Sequence, residues 1–448
     1  MISRAQPWIL TGLAVLWGVA WLVLFGAGIA TGGNKVAPAG LDPVVVSNEF
    51  LAPADIVLSD HCPPSFAKTE AGVCELQNLY QFYDSLQNQG VGGTRTSLPE
   101  HRDGFSPEQI DLGRYLFFDP ALSGDGSLSC ASCHHPAMGF SDGRGRSVGI
   151  TGEEVKRSSP TLWNVAFLKH LFWDARSDSL EDQAQGPLYS AEEMGNTPVQ
   201  LLATLNGSED YRRLFRQAYP AGQLDEISLG QVYRALAAFQ TSLISLNSRY
   251  DRYAHGDHSA LTQPEIEGMN VFRSFVARCA ECHTPPLFTN QQVAVIGAPE
   301  PEGLPLDVGA EATWDAPKMK GGFKVPTLRN IEKTAPYMHS GRFGTLRETV
   351  AFYTGGRGHA VPEGVDMHLH WHIWDPNLTD EEVDRVVDFL KALTDETFTP
   401  PIPGVVPSGM EPIGISPVFE FDSHANKRTT VAGSRPTVKS AKTRGASS

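Results

Sequence analysis

Cys130 and Cys133 are followed at once by His134, and the same Cys-x-x-Cys-His run recurs at Cys279, Cys282 and His283. The spacing puts two thiols on one edge of a turn while the next imidazole points across it. The chemistry this suits is covalent attachment of haem. The thiols add to the two vinyl groups, and the histidine reaches the iron as proximal ligand. A zinc site would need further Cys/His pairs at matching spacing. The two other cysteines are Cys62 and Cys74. Haem c is attached outside the bacterial cytoplasm, where thiols also oxidise, so a Cys62–Cys74 disulfide is expected.

The rest of the chain must position these two motifs. It has 448 residues, and its formal charge of −15 argues against a nucleic-acid partner. Arg4 precedes an apolar run from Trp8 to Ala30. That run reads as a signal peptide or a membrane anchor over 1–31, with the remainder in the periplasm. Residues 32–104 read as an irregular lead-in. Ser106, Pro107 and Gln109 form a capping box that opens a helix just before the first motif. Thr262, Pro264 and Glu265 open a similar one before the second, which makes a diverged internal repeat. Ile227–Leu246 has helical spacing, and Thr379 to Glu382 caps a last helix with a buried stripe over Val383–Leu393. The expected fold is mostly α: two cytochrome-c-like haem domains at 105–256 and 257–399, joined by loop-rich connections. An N-terminal apolar helix precedes them. After Pro400 a disordered tail is expected over 400–448, its last part (423–448) holding six Lys/Arg and no acid.

Five stretches, one of them around the first motif, make the chain resemble the bacterial di-haem cytochrome c peroxidase and MauG superfamily. They are Leu112-Gly-Arg-Tyr-Leu-Phe-Phe-Asp119, Ser129-Cys-Ala-Ser-Cys-His134, Phe172-Trp-Asp-Ala-Arg176, Phe323-Lys-Val-Pro-Thr-Leu-Arg-Asn330 and Thr334-Ala-Pro-Tyr-Met-His-Ser-Gly341. The resemblance implies a peroxide-reactive haem on Cys130, Cys133 and His134, and an electron-transfer haem on Cys279, Cys282 and His283. It implies Trp173 as a relay between them, with Gln183 and the acid–base Glu193 on the distal side of the first haem. It also implies a calcium ion held by the carbonyls of Thr334 and Pro336, where the family's asparagine is Ser158 here. His339 matches a recurrent histidine, taken as a hydrogen-bonding structural residue.

Two departures narrow the resemblance to the MauG and MbnH type. The loop Ser141–Pro160, where family peroxidases carry a removable distal histidine, has none, and Pro187 matches the proline that MauG-type members place there. Tyr353 falls where other members have a methionine ligand to the second haem; Met338 and Met367 are the alternative ligands. The implied activity is a peroxidase that uses hydrogen peroxide at an open first haem. Its high-valent state is shared with a His/Tyr-ligated second haem and oxidises a residue of a partner protein. The alternatives are a conventional cytochrome c peroxidase fed by a small c-type cytochrome, and a carrier without catalysis. Outside the resemblance, His368, His370 and His372 alternate; on an extended segment they would share a face, although exposed loop histidines are the plainer reading.

Overall fold

The computed structural model describes residues 52–77, 80, 98–220 and 226–414. The expected apolar helix at 1–31 lies outside them. Among the described residues, no helix is long and apolar enough to cross a membrane. The protein is mostly helical. The helices that matter here are α1 (Pro107–Phe118), α2 (Leu180–Tyr189), α3 (Pro198–Gly207), α4 (Glu209–Ala218), α5 (Leu229–Thr241), α6 (Gln263–Arg273), α7 (Leu346–Phe352) and α8 (Asp380–Lys391). Two short antiparallel pairs join them: β1 (Phe66–Lys68) with β2 (Cys74–Leu76), and β3 (Val293–Val295) with β4 (Gly322–Lys324).

The helix starts follow their caps. The Ser106 hydroxyl accepts from the Gln109 N–H, and the Gln109 side chain accepts from the Ser106 N–H. Thr379 and Glu382 do the same at α8. Two crossed helix pairs then build two cores. In the first, Leu112 and Leu116 of α1 pack with Val232 and Leu236 of α5. In the second, Met269 and Phe272 of α6 pack with Val386 and Phe389 of α8. Each crossing is close enough to demand glycine. A Cβ on Gly113 would lie 1.9 Å from the Ala235 carbonyl oxygen, and one on Gly268 would lie 1.8 Å from that of Arg385.

A second repeat runs deeper than the helices. Pro160-Thr-Leu-Trp-Asn164 and Pro326-Thr-Leu-Arg-Asn330 make the same turn. Thr161 donates to the Gly139 carbonyl and Thr327 to the Leu287 carbonyl, each at 2.6 Å. Asn164 and Asn330 both take a left-handed φ, +61° and +56°. The halves also exchange main-chain bonds. The Ser158 N–H donates to the His339 carbonyl (2.8 Å), and the Lys324 N–H to the Trp173 carbonyl (2.7 Å).

Two expectations need correcting. Residues 52–77 and 98–104 are not merely an irregular lead-in. Cys62 is joined to Cys74, which sits in the β1–β2 hairpin. Ile56 and Leu58 are buried with Leu214 and Phe215 of α4, and Arg213 donates to the Ile56 carbonyl at 2.6 Å. Nor does the disordered tail begin at Pro400. Residues 400–414 pack along the first half; Val406 is fully buried, and the Ser408 hydroxyl donates to Asp119 at 2.6 Å. The Ile413 N–H reaches the Phe118 carbonyl at 3.2 Å, satisfying one of the orphan acceptors at the end of α1. A Pro-rich strap needs no helix of its own when a neighbouring helix end supplies its partners. The tail beyond 414 lies outside the described residues.

Candidate haem sites

At the first motif, Cys130–Ser132 form a single turn beneath α1. The His134 Nδ1–H donates to the Phe140 carbonyl at 2.9 Å, and the Ser159 hydroxyl lies 3.1 Å from the same nitrogen. Phe140 has φ +59° and its ring is fully buried, edge-on to Trp163. This anchor fixes the tautomer, and Nε2, with the Ser159 hydroxyl 3.3 Å away, is the nitrogen that would take a metal. Burial pushes the imidazole pKa down, towards the neutral form that ligation needs. The second motif repeats the device: the His283 Nδ1–H donates to the Phe288 carbonyl at 3.1 Å, and burial again lowers the imidazole pKa. All four motif cysteines are free thiols. Burial pushes Cys130, Cys133 and Cys279 up to about 12 and raises Cys282. Paired free thiols beside a neutral, carbonyl-anchored imidazole are the donor set that covalent haem requires, so both sites fit the group.

The residues expected on the distal side of the first site lie on α2 and the loop behind it. Gln183 and Pro187 are four residues apart and share a helix face. Pro187 lacks an N–H, and α2 stops two residues later at Tyr189. The chain then folds back, the Met194 N–H donating to the Pro187 carbonyl at 3.1 Å. Glu193 is pinned through its backbone, because its carbonyl accepts the Ile150 N–H at 2.8 Å. That approach depends on Gly149, where a Cβ would lie 1.6 Å from the Glu192 carbonyl oxygen. The Glu193 carboxyl is half-buried. Burial raises its pKa, against the pull of Arg176 and with a push from Glu192. Its charge adds to the rise of the Cys133 thiol pKa, behind burial and Asp142.

The second site is a cavity of about 240 Å³ lined by Cys279, Cys282, His283 and Tyr353. Tyr353 caps the end of α7. Burial pushes its phenol pKa up, and the Cys279 and Cys282 thiols add to the shift. Met338 also lines this cavity. Met367 does not; its methyl lies over Gly321, 2.1 Å from where a Cβ would be. Trp173, Ser158, Thr334 and Pro336 reach the same wall.

Between the motifs, the Trp173 indole donates to the Ser158 carbonyl at 2.9 Å and meets His339 edge-on at 6.5 Å. Trp173 and His339 hold equivalent places in the repeat, each following a left-handed residue, Phe172 or Met338. His339 is buried, stacked on Phe323 at 3.8 Å, with Nε2 2.9 Å from the Glu300 carboxylate. Burial alone would raise Glu300, but its bond to His339 outweighs that and holds the carboxyl low. The Pro-Glu-Pro-Glu setting of Glu300 carries no signal in the sequence, so this partner comes to light only in the fold. The Ser158 hydroxyl is engaged, donating to the Met338 carbonyl at 3.0 Å.

The three alternating histidines do not act as one face. His370 and His372 come within 4.8 Å of the Cys282 sulfur, and His372 also bonds Glu281 at 2.7 Å. His368 stays exposed and apart from this group. The coil is shaped by Arg357, which donates to the Leu369, His370 and Ile373 carbonyls. Haem attachment uses the Cys282 thiol, so the grouping belongs to the rim of the second haem site.

The family model described as "Di-haem cytochrome c peroxidase" matches residues 107–259. The chain is 36% identical over 291 residues to the methylamine utilization protein MauG of Methylorubrum extorquens, covering 65% of this chain and 79% of that one. It is 31% identical to the cytochrome c551 peroxidase of Nitrosomonas europaea, over 72% of this chain and 89% of that one. Among solved structures it resembles a MauG-like protein associated with microbial copper homeostasis (33% identity, TM-score 0.60, 65% and 91% coverage). It also resembles the dihaem peroxidase BthA of Burkholderia thailandensis (26%, 0.59, 69% and 91%).

Proposed function

Because the chain belongs to the di-haem cytochrome c peroxidase family, and is therefore a haem-dependent oxidoreductase, we propose that it is a protein-oxidising enzyme of the MauG type in the periplasm. Hydrogen peroxide is reduced to water at the His134 site, and the two electrons come from a residue of a partner protein. The observation that carries this reading is Tyr353, which lines the same cavity as Cys279, Cys282 and His283.

When bound, the haems supply two irons whose redox range is set by their axial ligands. The chain does the rest. His134 and His283 are held as neutral ligands by the Phe140 and Phe288 carbonyls. Glu193 takes the proton from the inner peroxide oxygen and returns it to the outer one. Gln183 steadies the bound peroxide with its amide. Pro187 offers neither a ligand nor an N–H, which keeps the first site open. Tyr353 is held protonated by burial; as a phenolate it would be the hard, anionic ligand on the second haem's far side, a donor that favours oxidised iron. Trp173 stands between the two sites as the relay. Thr334 and Pro336 through their carbonyls, and Ser158 through its hydroxyl, would hold a calcium ion; that hydroxyl now donates to the Met338 carbonyl.

Electron paramagnetic resonance of the resting ferric protein tests this directly. One high-spin haem and one low-spin haem with a phenolate signature are expected, and peroxide alone should then produce a lasting spectral change. An unchanged spectrum rules the reading out. A second reading, a conventional peroxidase fed by a small cytochrome, has one observation in its favour: Met338 lines the same cavity as Tyr353. Fast steady turnover with reduced cytochrome c, and a methionine-type low-spin signal, would favour it.

A further inference from the structure

Eight large hydrophobic side chains are exposed among the described residues, and four of them, Phe275, Val276, Trp371 and Trp374, gather in one place. Scattered exposed apolar residues mean little, but a contiguous group marks a contact surface. The group is centred on Arg278, whose guanidinium lies 5.0, 5.3 and 4.9 Å from the Phe275, Trp371 and Trp374 rings. Glu281 grips that guanidinium in two bonds of 2.6 and 3.0 Å. The Trp374 indole donates to the Val276 carbonyl at 3.1 Å, and Arg357 ties down the loop that carries both tryptophans. The patch is therefore fixed in shape before anything covers it. Arg278 and Trp374 also line the cavity of the second haem site, so whatever covers the patch abuts that wall.

We propose that Phe275, Val276, Trp371 and Trp374, organised on Arg278, form the docking surface for a protein partner with an apolar centre and a Lys/Arg rim. Aromatic residues around an arginine are the composition of binding hot spots. The sign of the rim follows from charge. Exposed acids Glu363, Asp366 and Asp375 lie on the loop that carries the tryptophans, and the whole chain has a formal charge of −15, which draws in a basic protein and repels an acidic one. This rests on the family-based reading that electrons reach the enzyme from a protein.

The test uses the full-length holoenzyme in its resting ferric state, with a basic mitochondrial-type cytochrome c as probe and an acidic c-type cytochrome as counter-probe. Surface plasmon resonance should show saturable binding of the basic probe that weakens as salt is added. Replacing Phe275 and Trp371 together by serine should weaken it by about tenfold or more, while Val199→Ser, an equally exposed site on α3, should leave it unchanged. Two haems per chain and an unaltered Soret band in the double variant show that the loss is not unfolding. The proposal is overturned if the basic probe does not bind, if the acidic one binds as tightly, or if the double variant binds normally. No peroxide is present, so docking and peroxide chemistry succeed or fail independently.

Discussion

The two halves of the molecule hold their proximal histidines in the same way and differ most on the faces opposite them. Each crosses two helices over a glycine, Gly113 or Gly268, and ties its proximal histidine to the carbonyl of a buried phenylalanine in a left-handed conformation. Each then turns through Pro-Thr-Leu-x-Asn. In the residues proposed for the distal faces they part. The first half offers a carboxyl of raised pKa on a loop pinned at Gly149. The second has Tyr353 lining the cavity of its haem-attachment residues. Proximal machinery can be duplicated unchanged because it only holds a group still; the opposite face decides what that group does.

The cores differ as well. At the fourth position of the shared turn the first half has Trp163, packed on Phe140, and the second has Arg329. Arg329 is wholly buried and forks onto Asp251 at 2.5 and 2.7 Å, with the Pro286 carbonyl as a further acceptor. Removing one partner of a buried pair leaves an uncompensated charge. Arg329→Ala should therefore cost about 3–5 kcal/mol of stability, visible as an early unfolding step in the absorption of the second haem alone. If both haems lose their spectra together, the halves do not unfold as separate units.

Glu193→Gln comes next. Loss of an acid–base group slows a proton-transfer step by about 10²- to 10⁴-fold, measured here as the rate of the first spectral change after peroxide. The step begins with a carboxylate that accepts a proton, so the rate should fall as pH drops. Burial raises this carboxyl, which places the acidic limb above the ordinary Glu value of about 4.3. In Glu193→Gln the limb should vanish. A limb that persists would assign the titration to another group.

Much of this arrangement is legible in the amino-acid sequence. The Cys-x-x-Cys-His runs declare their chemistry by spacing, and the caps at Ser106, Thr262 and Thr379 declare helix starts because capping is local. What stays hidden depends on residues far apart. The bonds from Ser408 to Asp119 span 289 positions, so a proline-rich segment that reads as a loose tail is a strap. Gly113 and Gly268 look like ordinary helix glycines until the partner helix lies across them. The second repeat is written plainly in Pro160–Asn164 against Pro326–Asn330, yet turn residues lack the periodicity that draws attention to helices. Glu300 can be found only through the fold, because what matters is its meeting with His339.

The glycine crossings give a sharper comparison of the halves. Gly113→Ala and Gly268→Ala each push a methyl carbon into a facing carbonyl oxygen, at 1.9 and 1.8 Å. Overpacking of this kind costs about 1–3 kcal/mol. The two variants should lose similar amounts of stability in chemical denaturation, each felt first by the haem of its own half. A large inequality would mean that one crossing can slide apart and that the repeat is less exact in mechanics than in geometry.

Arg157 belongs to both halves and gives the smallest effect. It reaches Asp174 at 2.7 Å and Asp307 at 2.6 and 3.0 Å. Burial alone would raise both carboxyls, but their bonds to Arg157 outweigh it and hold them below the ordinary range. A depressed carboxyl stabilises the fold fully above its unfolded value, near 3.9, and loses that contribution as pH falls towards its folded value. Arg157→Met should therefore lower stability by about 1–2 kcal/mol, evenly from pH 7 down to roughly 4.5. Below that, parent and variant should converge. Because Asp174 follows Trp173 directly and Asp307 lies on the loop after Glu300, the variant should also broaden the spectral response to peroxide without changing resting haem ligation. Altered ligation at rest would instead show that the distal faces are set by the joint between the halves.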